Sequence, residues 1–187
     1  MNLASFEAFF LRVPRGAASR LRLACYRFFG MKQGDRNRME GGGRVRRCTQ
    51  IRIGSNNAFT QGVWLWPMDT DYSGIRVKIG NNNYFNRNVM LDACGLIEIG
   101  DDTMIGPDVY VTDSNHKFGP GLDPHKLPMD VGHVKIGDRC WIGAKAIILK
   151  NVELGDGCVV GAGAVVTKSF PAGSVIAGVP ARLLATQ

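Results

Sequence analysis

The chain holds three histidines, and two of them fall within VTDSNHKFGPGLDPHK, residues 111–126. An imidazole titrates near neutrality, so it can take a proton from a hydroxyl or amine at physiological pH and give it back later. His116 is the candidate for such a base. It stands where a regular spacing of apolar residues stops and a Gly- and Pro-rich stretch begins. His125 and His133 lie farther into that stretch, where loop side chains are mostly solvated. Asn86 and Asp92, in YFNRNVMLDAC, are six residues apart, and each directly follows a residue of the same regular spacing. Asn and Asp also turn corners well, so what these two do depends on where the spacing puts them.

That spacing is a beat of six. Apolar residues recur at Ile53, Phe59 and Leu65, and after an eight-residue insertion at Ile79, Phe85 and Leu91. Two extra residues precede Ile99, Ile105 and Val111; nineteen precede Ile136, Ile142, Ile148, Leu154, Val160 and Val166. All fifteen beats are apolar, and Gly follows many of them. A 3.6 period does not keep this spacing, which excludes an amphipathic helix. The pattern predicts a triangular coil, with one short strand and one corner per hexapeptide and three hexapeptides per circuit. Beat residues point inward and stack on the next circuit, as in other solenoids. Fifteen hexapeptides make about five coils. The nineteen-residue insertion, 117–135, reads as an excursion, because the beat resumes in phase at Ile136.

Composition narrows the class. No apolar run is long enough to span a bilayer, and the N-terminus lacks the parts of a signal peptide. Five scattered cysteines without CxxC spacing favour reduced thiols and a cytoplasmic setting. The net charge of +7 is uneven. Residues 1–47 carry 11 Lys+Arg against 3 Asp+Glu, a balance of +8, and the remainder carry 12 against 13, a balance of −1.

IGDRCWIGAKAIILKNVELGDGCVVGAGAVVTKSFPAGSVIAGVPARLL (residues 136–184) resembles the signature end of the hexapeptide-repeat acyltransferases, in particular the galactoside, maltose and polysaccharide O-acetyltransferase group. The resemblance covers about residues 50–185. It implies an all-β solenoid, a left-handed parallel β-helix over 49–187 with a C-terminal cap at 169–187, preceded by a basic N-terminal helical segment over 1–48. It also implies acetyl-CoA as co-substrate and a homotrimer with active sites between adjacent coils, the long loop reaching across to a neighbour.

His116 matches the family's catalytic histidine by position, and Asp113 or Asn115 is placed to orient its ring. Asn86 and Asp92 match residues that bind the acceptor. Trp141 matches an aromatic near the thioester end of acetyl-CoA. In GAGAVVTK, residues 161–168, small residues allow the pantetheine arm to lie on the coil, with backbone contacts from Ala144, Ala162 and Thr167. Lys168 and Arg182 are the candidates for the nucleotide phosphates. A related β-helix family holds zinc with histidines on its coils; here His125 and His133 are assigned to the excursion, so no metal site is expected.

Residues 1–30 do not follow the beat. ASFEAFFLR reads as a short helix stopped near Pro14, and AASRLRLACYRFFG as a second ended by Gly30. Leu21, Cys25 and Phe28 share one face of the second. The plain expectation is a helical cap packed on the first circuit; the sharper one is contact with anionic lipid at the inner face of a membrane. No nucleic-acid motif accompanies the charge. The expected function is O-acetylation of a sugar hydroxyl in cell-surface polysaccharide or glycolipid assembly. The alternatives are N-acetylation of an amino sugar or xenobiotic amine on the same site, and a non-catalytic β-helix scaffold.

Overall fold

The computed structural model describes residues 13–68, 74–121 and 123–187. Helix α1 (Val13–Phe28) leads into short strands, three per coil. Coil 1 holds β1 (Lys32–Gln33), β2 (Arg38–Met39) and β3 (Arg44–Val45); coil 2 holds β4 (Ile51–Ile53), β5 (Ala58–Phe59) and β6 (Trp64–Pro67). Coil 3 is β7 (Val77–Ile79), β8 (Tyr84–Phe85) and β9 (Met90–Ala93), and coil 4 is β10 (Leu96–Ile99), β11 (Met104–Ile105) and β12 (Tyr110–Thr112). The hairpin β13 (Ser114–His116) and β14 (Met129–Val131) follows. Coil 5 holds β15 (His133–Ile136), β16 (Trp141–Ile142) and β17 (Ile147–Ile148), and coil 6 holds β18 (Val152–Leu154), β19 (Val159–Val160) and β20 (Val165–Val166). Strands β21 (Ser174–Gly178) and β22 (Ala181–Thr186) come last.

The first strands of the six coils stack in parallel as face A, the second strands as face B and the third as face C. The beat residues face each other in register, Ile53 on Ile79, Ile79 on Ile99, Ile99 on Ile136 and Ile136 on Leu154. Nearly all are fully buried, and Phe59 stacks on Phe85 with ring centroids 4.7 Å apart. The five coils expected from Ile53 onward are present, and one more precedes them. Gln33, Met39 and Val45 pair with Ile53, Phe59 and Leu65, so residues 31–47 belong to the coil and not to a helical segment ending at 48. Gln33 hid the beat because it is polar. It ends the face A stack, and its Nε2 donates to Leu23 O of α1 at 2.8 Å.

Each coil bends sharply between faces A and B, and a ladder of side chains ties these corners together. Asn37, Asn57 and Asn83 donate to the carbonyls of Gly54, Gly80 and Gly100 on the next coil. Thr103 then donates to Gly137 O, Cys140 to Gly155 O and Cys158 to Pro171 O. In return, Asn57, Asn83, Thr103 and Cys140 donate their backbone N–H groups to the preceding side chain of the series. These buried polar groups are therefore satisfied, as an interior requires. Burial pushes the Cys140 thiol up to about 11, so it serves here as a neutral donor. An outer row repeats the device: Asn81, Asp101, Asp138 and Asp156 accept from the N–H of Ser55, Asn81, Asp101 and Asp138.

Both ends are closed. At the start, Ser19 accepts from Met39 N and Arg22 donates to Met39 O. Pro14 lies in the first turn of α1, where its missing N–H costs nothing; the helix expected over residues 4–12 lies outside the described residues. At the other end, β21 joins face B and β22 folds back antiparallel on it after the cis Val179–Pro180 bond. The cap carries exposed Leu183 and Leu184. No helix among the described residues is long and apolar enough to cross a membrane.

Candidate active site

Both large insertions fall at one place in the winding, between a face C strand and the next face A strand. The first connects β6 to β7; the second runs from Asp113 to Gly132. Asp113 roots the second. It is fully buried, and its carboxylate accepts from Cys94 N at 2.7 Å and Gly95 N at 2.9 Å, on the plain corner one coil earlier. Its own carbonyl accepts from Gly132 N at 2.8 Å, closing the neck of the excursion. Burial pushes the Asp113 carboxyl above its ordinary value, opposed by those backbone donors. Asp113 therefore anchors the hairpin through both its oxygens.

Above the neck, Ser114 pairs with Val131, Asn115 with Asp130 and His116 with Met129. His116 is exposed on this hairpin. The hairpin, not the coil, carries it, and the excursion begins before His116 instead of after it. Lys150, on the next C–A corner, forms an ion pair with Asp130 and ties β14 to the coil. His125 is exposed in a short 3-10 turn whose Asp123 accepts from His125 N. His133 is not a loop residue. It opens β15 on face A opposite Leu96, and its Nε2 lies 2.9 Å from Glu153 Oε1. Among the described residues no three His, Cys, Asp or Glu side chains are grouped to hold a metal.

Asn86 follows β8 at the B–C corner, and its Oδ1 accepts from Arg87 N at 2.8 Å. The corner bond thus fixes the amide and leaves Nδ2 as a donor. Asp92 lies within β9, on the outer surface of face C, between Trp66 and Thr112 of the neighbouring coils. It turns no corner. Tyr110 donates to Asp92 Oδ2 at 2.7 Å, while Oδ1 is shut from solvent and accepts no hydrogen bond among the described residues. Burial, then the bond to Asp92, pushes the Tyr110 phenol up to about 12, so it stays a donor. Tyr110 was not foreseen; it lies on the next coil, in register with Met90 and diagonal to Asp92.

Trp141 opens β16 and is 56% exposed, on the outside of face B in line with Met104 and Val159. It is a strand residue and not a corner. Ala144 and Ala162 stack at the B–C corner, Gly163 N donating to Ala144 O. Glycines make that corner smooth: a Cβ on Gly106 would lie 2.7 Å from Ala144 N, and one on Gly143 2.6 Å from Ala162 N. Exposed Arg182 lies on β22 opposite Ala177. Thr167 and Lys168 follow β20 at the far edge of face C, where the Lys168 ammonium lies 5.5 Å from the Phe170 ring.

One chain therefore separates the candidates. His116, Asp92, Thr167 and Lys168 lie along face C and its border with A. Trp141, Ala144, Ala162 and Arg182 lie along face B and the B–C corner, with Asn86 at that corner. The outsides differ to match. Face A carries charged pairs such as Lys78–Glu98 at 2.9 Å, whereas face B exposes Tyr84, Met104 and Trp141.

A family model for bacterial transferase hexapeptide (six repeats) matches residues 133–168. Nodulation protein L of Rhizobium leguminosarum bv. viciae is 46% identical over 120 residues, 64% of this chain and 62% of that protein. WbbJ of Escherichia coli (strain K12), a candidate lipopolysaccharide biosynthesis O-acetyl transferase, is 34% identical over 148 residues, 75% of this chain and 74% of its own length. The chain belongs to the hexapeptide-repeat acyltransferases. A galactoside acetyltransferase solved in complex with coenzyme A superposes with a TM-score of 0.58 at 25% identity, over 83% of this chain and 64% of that one. The fold is accordingly the left-handed parallel β-helix of these acyltransferases. The match spans less than two thirds of nodulation protein L.

Proposed function

We propose that the chain transfers an acetyl group from acetyl-CoA to a sugar hydroxyl, in the assembly of a cell-surface polysaccharide or glycolipid. The observation that carries this reading is the exposed imidazole of His116 on a hairpin tied at its neck by Asp113 and at its side by Lys150. The relatives support the acetyl donor and the glycan acceptor, since their names and titles include O-acetyl transfer, lipopolysaccharide biosynthesis and coenzyme A.

In this reading His116 takes the proton of the acceptor hydroxyl as its oxygen attacks the thioester carbonyl. The tetrahedral intermediate collapses, the C–S bond breaks, and the CoA sulfur leaves as thiol with the proton returned by the imidazolium. Asn86 Nδ2 donates to an acceptor or acetyl oxygen. Asp92, its Oδ2 held by Tyr110, fixes the polar wall on the outside of face C along which the acceptor lies. Trp141 and the smooth B–C corner receive the pantetheine arm, and Arg182 and Lys168 the phosphates. Because one chain divides these groups between faces B and C, a complete site joins face C of one copy to face B of the next. Three copies close such a ring.

The test is acetyl transfer to a panel of oligosaccharides and amino sugars, read by thiol release, with CoA binding measured separately. His116→Ala should lower kcat roughly 10²–10⁴-fold with CoA affinity retained. Unchanged turnover would remove His116 as base. Acetylation of amines alone would overturn the hydroxyl acceptor, and wild-type protein that ignores CoA would leave a scaffold.

A further inference from the structure

Helix α1 meets the coil with its less apolar side. Ser19 and Leu23 are buried against coil 1, and Tyr26 packs partly against the core. At 100° per residue, Ala17, Ala18, Leu21, Ala24, Cys25 and Phe28 form the opposite arc, and every one is exposed. Leu21 is 68% exposed, Phe28 86% and the neighbouring Phe29 65%. The helix caps the first circuit as expected, but Leu21, Cys25 and Phe28 face away from it. An apolar arc of this size turned outward needs an occupant.

The charges around it indicate which. Residues 13–28 hold four arginines and no acidic residue. Arg20 and Arg27 border the arc on one side, Arg27 exposed while donating to Gln33 O and Gly34 O and lying 4.0 Å from Asp35, and Lys32, Arg36 and Arg38 are exposed on the coil beneath. Arg22 borders the other side while tied to Met39 O. A two-sided helix with small and large apolar residues outward and cations along its rim fits the boundary between lipid headgroups and acyl chains.

We infer that the outer arc of α1 docks this protein, by its N-terminal end, on an anionic lipid surface. The helix lies in the plane of the interface, with Leu21 and Phe28 in the acyl region and Arg20 and Arg27 among the phosphates. The rest of the solenoid then points away from the surface. This inference does not depend on the acetyltransferase reading.

The experiment is flotation of the full chain with vesicles of phosphatidylcholine alone or enriched in phosphatidylglycerol, at low and high salt. The protein should float with the anionic vesicles only and be released by salt, since each basic residue near such a surface changes partition about fivefold. Leu21→Ser with Phe28→Ser should lower binding at least tenfold, as about 1.5 kcal/mol or more is lost per large side chain kept out of the apolar layer. Arg20→Glu with Arg27→Glu should also release it. Leu21 and Phe28 are outside the core, so melting curves and CoA binding of the serine pair should not move. Arg27 also donates to Gln33 O and Gly34 O of coil 1, so Arg20→Glu alone is the charge variant that should leave melting unchanged. Equal flotation with both vesicle types, no flotation, or binding unaffected by the serine pair would overturn the inference. So would salt-sensitive binding to a duplex oligonucleotide in place of vesicles. Self-association lost in the serine pair, with vesicles ignored, would assign the arc to a second copy instead.

Discussion

The Lys150 ammonium meets the Asp130 carboxylate across the gap between the coil and the hairpin that carries His116. Asp130 pairs with Asn115, the residue next to His116. Breaking the pair with Lys150→Ala or Asp130→Asn should loosen the placement of the imidazole and lower kcat for acetyl transfer about tenfold. CoA affinity and the melting temperature should barely change, because the hairpin stands outside the stacked core. Lys150→Arg should restore most of the rate. A loss confined to the KM for acetyl-CoA would argue against this positioning role.

Asp113 makes stability depend on pH. Its folded pKa lies above the ordinary carboxylate value of 3.8, with burial the main cause. Just above that value the native chain therefore keeps a proton that the unfolded chain has lost. Stability is fullest below the unfolded value and falls as pH rises through the folded one. Asp113→Asn removes this slope. It also leaves one of the Cys94 and Gly95 N–H groups without an acceptor, at a cost of about 1–3 kcal/mol. Melting curves from pH 4 upward should show the wild type losing its lead over the variant; a constant gap would contradict the assignment.

The B–C corner tolerates no side chain at Gly143. Its Cβ would meet Ala162 N at 2.6 Å and Val160 O at 2.7 Å, both backbone atoms. Gly143→Ala should cost about 1–3 kcal/mol and weaken CoA binding with it. Gly163→Ala meets nothing within 4 Å but sits at φ 69°, so it should cost only about 1–2 kcal/mol. Chemical denaturation of both variants tests the order.

Asn83 is a rung of the buried ladder, donating to Gly100 O at 2.8 Å and accepting from Thr103 N at 2.8 Å. Asn83→Ala leaves both backbone groups unsatisfied and should cost about 2–5 kcal/mol. Asn83→Thr should cost less than half as much, because Thr103 does the same work one coil later. Equal losses would mean that the ladder is not what the substitution removes.

The coil was legible because inward residues recur every six positions and a solenoid repeats its core without long-range surprises. Coil 1 escaped because Gln33 occupies a beat, and its reason for being polar, the Leu23 carbonyl, lies on a helix whose docking against the coil no periodicity predicts. The ladder sat in plain view as Asn57, Asn83, Thr103, Cys140 and Cys158, four residues after each face A beat. Its members change type, so they do not read as one series until the hydrogen bonds are drawn. His116 was found as the residue where the rhythm stops, but the hairpin was not. Asn115 and Asp130 face each other across fourteen intervening residues, and nothing local announces that pairing. Face assignments for Trp141 and Lys168 likewise needed the coil to be wound.

The A–B corners are stitched coil to coil, and the B–C corners are pressed together by glycine. Neither has slack. Among the described residues the chain leaves and returns at the border of C and A, after β12, and the β6–β7 connection falls at the same border; the beat resumes in phase after each. The molecule thus has two closed seams and one open one. Segments of different length or chemistry can be spliced along the open seam without repacking the column inside. On the proposed function, a new acceptor preference could be written there while the fold stays as it is, and exchanges of residues 114–131 between relatives are the direct way to try it.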